Sequence, residues 1–106
     1  PNSELSSDKQ ISIPLQFNLN QNFPNPFNPF TTISYDLPRP TNVDLSIFDL
    51  SGRKLVTLVN RKQAPGKKSF TWNGLNDQGE EVGSGVYIYR VTTNQTIQSK
   101  KMLLIK

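Results

Sequence analysis

Apolar and polar residues alternate along most of the chain after residue 30. In the segment Thr31–Leu37, the side chains of Ile33, Tyr35 and Leu37 fall on one face, and the residues between them are polar. This period of two is typical of a β-strand with one buried face. Together with a short apolar patch near the start of the chain, the pattern predicts seven strands: Ile11–Leu15, Thr31–Leu37, Val43–Asp49, Lys54–Val59, Lys67–Asn73, Val86–Thr92 and Thr96–Ile105.

The second of the regular strands contains a break in this alternation. Val43, Leu45 and Ile47 are predicted to point inward, but Phe48 and Leu50 interrupt the period. An apolar side chain on the outer face is shielded from water only if other residues pack over that face. The sequence therefore predicts that both faces of the sheet are covered near this end of the strand.

The strands are short, regularly spaced and separated by turn residues. No segment has apolar residues at the i, i+3, i+4 spacing over the length of a helix. About seven strands at intervals of 8–12 residues are typical of an antiparallel β-sandwich. We therefore predict an all-β, antiparallel sandwich of about seven strands, preceded by a polar linker over residues 1–16. No Cys-Trp-Cys pattern is present, so an antibody-type domain is not implied.

Residues 17–30, which we call the strap, have an unusual composition. They contain three prolines, five asparagines and four phenylalanines. Proline fixes φ and lacks an N–H, which excludes a helix and a central strand here. Disordered proline-rich segments are poor in aromatic residues, so the rings are expected to be buried. We predict an extended, polyproline-like segment that lies on the sandwich with Phe17, Phe23, Phe27 and Phe30 beneath it.

The composition excludes several classes of active site. The 106 residues include no cysteine and no histidine. Zinc sites of the usual kind, thiol nucleophiles and Ser-His-Asp arrangements are therefore ruled out. We expect no catalytic residues, no metal and no cofactor. No apolar run approaches the roughly 18 residues that would span a membrane.

Positive charge is concentrated in two parts of the chain. Six basic and no acidic residues lie between Ser51 and Ser69, and four basic and no acidic residues follow Glu81. Such a surface could attract nucleic acid or another polyanion. Solvation of hairpin ends and protection of edge strands explain it more simply, and we expect no nucleic-acid partner.

Three small groups of residues have alternative interpretations. The oxygens of Asn73, Asn76, Asp77, Glu80 and Glu81 could bind calcium, but their spacing matches no EF-hand loop and is ordinary for a turn. Trp72, Tyr87 and Tyr89 could form a sugar-binding platform, although aromatic residues alternating along strands are more often core. Asp49 and Arg53 flank a tight turn at Gly52 and are expected to form an ion pair, and Arg90 is expected to stack on a ring or pair with an acid.

The last residues of the chain, Ser99–Lys106, include four apolar side chains. A frayed terminus is usually polar. We therefore expect either a docked strand that completes a sheet or a strand that is offered to a partner by edge addition.

Several motifs occur in order along this sequence. They are Phe-x-Leu-x-Gln-Asn-Phe-Pro-Asn-Pro-Phe-Asn-Pro at 17–29, Thr-x-Ile-x-Tyr-x-Leu-Pro at 31–38, Ile-Phe-Asp-Leu-Ser-Gly-Arg at 47–53, Thr-Trp-Asn-Gly at 71–74, Ser-Gly-Val-Tyr at 84–87 and Lys-Lys-Met-Leu-Leu at 100–104. With them, residues 17–106 resemble the type A C-terminal sorting domains of proteins exported by the bacterial type IX secretion system. The fold is also similar to the immunoglobulin-like domain of the flagellar hook-capping protein.

This resemblance implies that residues 17–106 form a seven-stranded, immunoglobulin-like sandwich. It also implies that this sandwich is a non-catalytic sorting domain at the end of a larger cargo protein. Its partners would be the outer-membrane secretion machinery and a sortase-like peptidase, and the cargo would be released or attached to surface lipopolysaccharide of a Gram-negative bacterium. A carbohydrate- or protein-binding module of a secreted enzyme is the alternative. The predicted recognition residues are Lys100, Lys101, Met102, Leu103 and Leu104. The predicted supporting residues are Phe23, Pro24, Asn25, Pro26, Phe27, Asn28 and Pro29 of the strap, with Asp49, Gly52, Arg53, Trp72, Gly74, Gly85 and Tyr87 in the turns and core.

Overall fold

The computed structural model describes residues 13–106 and contains seven strands within them. These are β1 (Asn18–Leu19), β2 (Thr31–Leu37), β3 (Thr41–Phe48), β4 (Lys54–Gln63), β5 (Gly66–Trp72), β6 (Gly85–Thr92) and β7 (Ile97–Leu104). One sheet has the order β1-β2-β5 and the other has the order β4-β3-β6-β7, with antiparallel pairing throughout. The predicted seven-stranded sandwich is confirmed.

The first strand is not where the sequence pattern placed it. Residues 13–15 form no strand, and residues 11 and 12 lie outside the described residues, as does most of the predicted linker. The seventh strand is instead β1, within the strap, where Leu19 pairs with Tyr35 of β2. Two residues are too few to show a period, which explains why the pattern did not reveal this strand.

The core lies between the inner faces of the two sheets. Tyr35 and Leu37 of β2 and Leu45 and Ile47 of β3 are at most 1% exposed, as their alternation predicts. The Tyr35 hydroxyl donates a hydrogen bond of 2.6 Å to the Gln63 side chain, which links the two sheets. Within residues 13–106, no helix is long and apolar enough to cross a membrane.

Phe48 is buried on the outer face of its sheet and lies outside the main core. It is paired with Lys54 on one side and Ile88 on the other. The Arg90 guanidinium lies 4.2 Å from the centre of its ring. This stacking contact covers Phe48 and confirms a stacking role for Arg90. The expected cover on both faces is therefore present at Phe48, but it is absent at Leu50, which is 62% exposed.

The loop between β3 and β4 is organised by Asp49. Its carboxylate accepts hydrogen bonds from the Ser51 hydroxyl at 2.6 Å and from the Arg53 N–H at 3.0 Å. These bonds, the Ser51 hydroxyl first among them, lower the pKa of Asp49. The expected ion pair with Arg53 is present at 3.3 Å, and Gly52 takes the left-handed conformation (φ +89°) that the turn requires.

Candidate functional site

The strap runs from β1 to β2 and joins both sheets. At its middle, the backbone of Phe23 exchanges two hydrogen bonds with Thr32 of β2. Further on, Phe27 forms a parallel bridge with Leu104 of β7. The peptide bonds before Pro24, Pro26 and Pro29 are cis. The strap therefore connects the sheet that contains β2 to the C-terminal strand of the other sheet.

The strap closes the outer edge of β7 near the end of the chain. The N–H of Phe27 donates to the Leu103 carbonyl at 2.9 Å, and its carbonyl accepts from the Ile105 N–H at 3.1 Å. The Leu103 N–H donates to the Asn25 side chain at 3.0 Å, and the Gln21 side chain donates to the Lys101 carbonyl at 2.8 Å. Two side-chain amides of the strap thus pair with the backbone of β7, Gln21 as a donor and Asn25 as an acceptor.

One ring of the strap enters the core. Phe27 is 2% exposed, and its centroid lies 5.8 Å from that of Trp72. Trp72 in turn meets Tyr87 edge-on, with the centroids 5.9 Å apart. The strap is therefore anchored between the two sheets by an aromatic cluster, a geometry that is favourable beyond the area it buries.

The expectation that all four rings of the strap are buried is wrong for two of them. Phe23 is 78% exposed and Phe30 is 56% exposed, whereas Phe17 is half-buried beside Tyr35. Residues opposite each other in an antiparallel pair share a face. Phe23 pairs with Thr32, which lies on the solvent face of β2, so its ring points outward.

A buried tyrosine holds the first half of the strap. The Tyr89 hydroxyl donates to the Asn20 carbonyl at 2.6 Å and accepts from the Asn22 N–H at 2.9 Å. Asn22 is 2% exposed, and its side chain donates to the Thr31 hydroxyl at 2.9 Å. Burial raises the pKa of Tyr89 to about 12. Sequence analysis favoured a core position for Tyr89 but did not identify the strap backbone as the partner of its hydroxyl.

We expect the Tyr89→Phe substitution to reduce the free energy of unfolding by about 1–3 kcal/mol at pH 7, because the Asn22 N–H loses its buried partner. The pKa of Tyr89 in the folded domain lies above the value of about 10 in an unfolded chain. The associated stabilisation is present below pH 10 and is lost as the pH rises toward 12. Part of the alkaline loss of stability should therefore be absent in the variant.

Denaturant titration followed by the fluorescence of Trp72, the only tryptophan, would measure both effects. Tyr87→Phe is the matched control, because the Tyr87 hydroxyl donates to the Gly83 carbonyl and does not contact the strap. Equal losses in the two variants at pH 7 would contradict a specific role for Tyr89.

Residues 30–96 match the family model of the FlgD Ig-like domain. The chain belongs to this family. The match begins after the prolines of the strap and ends before β7. The matched range therefore includes strands β2 to β6. Strand β7 and all of the strap except Phe30 lie outside it. No curated protein sequence matches the chain.

Solved structures with the same fold include two from Porphyromonas gingivalis. Dimeric latent PorU is 23% identical with a TM-score of 0.68, over 84% of this chain and 9% of that one. PorZ, described as an essential bacterial surface component of the type-IX secretion system, is 22% identical with a TM-score of 0.56, over 81% and 11%. FlgD from P. aeruginosa is 24% identical with a TM-score of 0.56, over 70% and 58%. At these identities the similarity shows a shared fold.

The structure brings the predicted strap and recognition residues of this FlgD Ig-like domain together. Lys100 and Lys101 are exposed, Leu103 is half-buried, and Met102 and Leu104 are 1% exposed. The end of the chain is thus a docked strand, the first of the two expected arrangements. Only the lysines and part of Leu103 are available on the surface of the folded domain.

The predicted supporting residues surround the same region. Trp72 and Tyr87 lie in the core, and Gly85 pairs with Leu104 at the start of β6. Gly74 has φ +79°, and a Cβ atom built on it would lie 3.6 Å from the Pro29 carbonyl oxygen. Replacement of Gly74 would therefore strain the backbone beside the strap more than it would crowd it.

The residues considered for calcium form a turn. The Asn76 side-chain oxygen accepts hydrogen bonds from the N–H groups of Gln78 and Glu80, at 3.0 and 2.9 Å. The Glu81 carboxylate pairs with the Lys106 ammonium at 3.1 Å. Within residues 13–106, no three histidine, cysteine, aspartate or glutamate side chains are grouped to hold a metal ion.

The aromatic residues considered for sugar binding lie inside the sandwich. Trp72, Tyr87 and Tyr89 are 1%, 9% and 0% exposed. A sugar platform requires ring faces that solvent can reach, so these three residues do not provide one in this fold.

Proposed function

We propose that this FlgD Ig-like domain is a non-catalytic sorting domain that directs a larger cargo protein across the outer membrane through the type IX secretion system. The observation that carries the proposal is the closure of β7 by the strap, which fixes a lysine pair, Lys100 and Lys101, on the surface at the end of the sandwich. The fold similarity to PorZ supports it, as does the small share of the PorU and PorZ chains that the matched domain occupies.

A sorting domain must fold on its own and present a surface that the export machinery can distinguish. The strap and β7 meet both needs, because Phe27, Met102 and Leu104 complete the core while Lys100 and Lys101 remain exposed. No acidic residue follows Glu81 in the sequence, so no neighbour on β6 or β7 neutralises the lysine pair.

The remaining parts of the proposal concern the cargo. The cargo domain precedes residue 17, and a sortase-like peptidase cleaves within or before the linker at 1–16, where an exposed chain can enter a protease. The cargo is then released or attached to lipopolysaccharide, at the surface of a Gram-negative bacterium. The alternative was a carbohydrate- or protein-binding module of a secreted enzyme. Its carbohydrate-binding form has less support because the aromatic rings that suggested it are buried.

The test is an export assay of variants in which surface charges are altered and the buried core residues are unchanged. Residues 1–106 are fused to a periplasm-targeted fluorescent protein in a bacterium that has type IX secretion. We expect the double substitution Lys100→Glu/Lys101→Glu to lower export about tenfold, which corresponds to about 1.4 kcal/mol of lost recognition. Both side chains are exposed, so the free energy of unfolding should change by less than about 0.5 kcal/mol.

The matched control is Arg61→Glu/Lys62→Glu, an adjacent exposed basic pair on β4, the opposite edge strand of the same sheet. It makes the same change in net charge and should be exported normally. Equal export of the two variants would refute a specific role for the lysine pair. Retention of the unsubstituted fusion in the periplasm would refute the sorting function itself.

A further inference from the structure

The strap closes only one half of the β7 edge. The contacts of the strap with β7 begin near the C-terminus and extend back only as far as the Lys101 carbonyl, which accepts a hydrogen bond from the Gln21 side chain. The register between β6 and β7 runs without a shift from Gly85 and Leu104 to Thr92 and Ile97. The half of β7 from Ile97 to Lys100 therefore has β6 on one side and is not paired with the strap on the other.

The backbone groups on this uncovered side can be assigned from the alternation of the strand. In a regular antiparallel pair, the N–H and C=O of one residue point to the same side, and successive residues point to opposite sides. Leu103 and Lys101 point toward the strap, so Ser99 and Ile97 point away from β6 as well. From residue 13 to residue 106, no hydrogen bond reaches the backbone of Ser99 or Ile97 on this outward side.

The same edge already accepts an additional segment at its other end. There Phe27 lies parallel to Leu104 and bonds to the residues on either side of it. An extended segment of another protein that paired with Ser99 and Ile97 would continue this arrangement along the strand. Addition of a strand to a sheet edge is a general mode of peptide recognition, in which backbone bonds provide affinity and alternate side chains provide specificity.

The charges around this edge select the kind of segment. All five residues from Ile97 to Lys101 are exposed, and Ile97 is 65% exposed. Lys100 and Lys101 lie at the edge, Arg90 lies on the neighbouring strand, and no acidic residue occurs on either strand. Lysines on an edge strand normally discourage pairing. A segment with acidic side chains would turn that repulsion into attraction, whereas a second copy of β7 would bring two more lysines and no carboxylate.

We propose that the edge of β7 from Ile97 to Lys101 is a pairing site for an extended, acidic segment of the export machinery. This inference rests on the proposed sorting function and names the kind of partner that the domain meets. The backbone of Ser99 and Ile97 provides the hydrogen bonds. Lys100 and Lys101, which lie on opposite faces of the strand, provide the preference for carboxylates.

The binding test uses the full chain and short synthetic peptides in which glutamate alternates with valine or threonine. Peptide is titrated into labelled domain, and amide chemical shifts are followed by NMR. We expect the shifts to cluster at residues 97–101, with at least about tenfold weaker binding when lysine replaces glutamate or when alternate peptide nitrogens are methylated. Failure of the glutamate peptide to bind, equal binding of the methylated peptide, or shifts confined to other residues would overturn the inference.

A matched pair of substitutions in the domain tests the same site. Ser99→Glu places a carboxylate within the proposed site, and Ser69→Glu makes the same change at an exposed serine of β5, an edge strand of the other sheet. We expect Ser99→Glu to weaken binding of the glutamate peptide about tenfold and Ser69→Glu to leave it unchanged. Equal effects would overturn the inference. Sedimentation at the same concentration measures the oligomeric state of the domain. A dimer that Ser99→Glu dissociates would show that the edge pairs with a second copy, which would overturn the inference.

The two proposals fail in different experiments. If export depends on the lysine pair but the glutamate peptide does not bind at β7, the pairing site is wrong and the sorting function stands. If the unsubstituted fusion is not exported, the sorting function is wrong and, with it, the assignment of the partner to the export machinery.

Discussion

Replacement of Phe27 by alanine is expected to lower the free energy of unfolding by about 3–5 kcal/mol, the usual cost of removing a buried phenylalanine. The ring is 2% exposed and packs against Trp72 at a centroid distance of 5.8 Å. Its loss would leave a cavity between the sheets at the point where the strap enters the core. A domain of this size is stable by only about 5–15 kcal/mol, so the variant should lose a large share of its stability.

The strap itself contains the control for this substitution. Phe23 is four residues earlier in the same proline-rich segment but is 78% exposed. Phe23→Ala should therefore change the free energy of unfolding by less than about 0.5 kcal/mol. Urea titration monitored by Trp72 fluorescence measures both variants, since the tryptophan is 1% exposed in the folded state. Similar values for the two variants would contradict the anchoring role of Phe27.

These two phenylalanines also mark the limit of what the sequence predicts. In β2 and β3 the period of two assigned the buried faces correctly, because alternation in a strand fixes the direction of each side chain. The strap has no such period. The direction of each of its rings is set by the partner of its backbone, Thr32 for Phe23 and Leu104 for Phe27, and those partners are distant in sequence.

The closure of β7 was beyond sequence analysis for a related reason. The apolar residues Met102 and Leu104 predicted a docked strand, and the strand is docked. The sequence did not show that the strap would cover one half of its outer edge. That cover depends on side-chain hydrogen bonds that Gln21 and Asn25 share with residues 80 and 78 positions away. Side-chain amides bond to many backbone groups, so residue type alone does not identify the one they will meet.

Removal of residues 100–106 is expected to unfold the domain. Met102 and Leu104 are each 1% exposed, and loss of either buried side chain alone would cost about 2–5 kcal/mol. The shortened chain would also lose half of the β6–β7 pairing and the residues that bond to Asn25 and Phe27. The sum of these losses is comparable to the whole stability of a small domain. A chain that ends at Ser99 should show the emission of exposed tryptophan and no cooperative unfolding transition.

A chain that ends at Ile105 is the matched control, because Lys106 makes a surface ion pair with Glu81 and one hydrogen bond to Ser84. Such contacts contribute about 1 kcal/mol or less, so this chain should remain folded. If the chain ending at Ser99 kept a buried Trp72 and a cooperative transition, β7 would not be part of the folding unit. If it unfolds as expected, failure of its export would reflect the loss of the fold, and only substitutions such as Lys100→Glu/Lys101→Glu can separate recognition of the C-terminus from its role in the core.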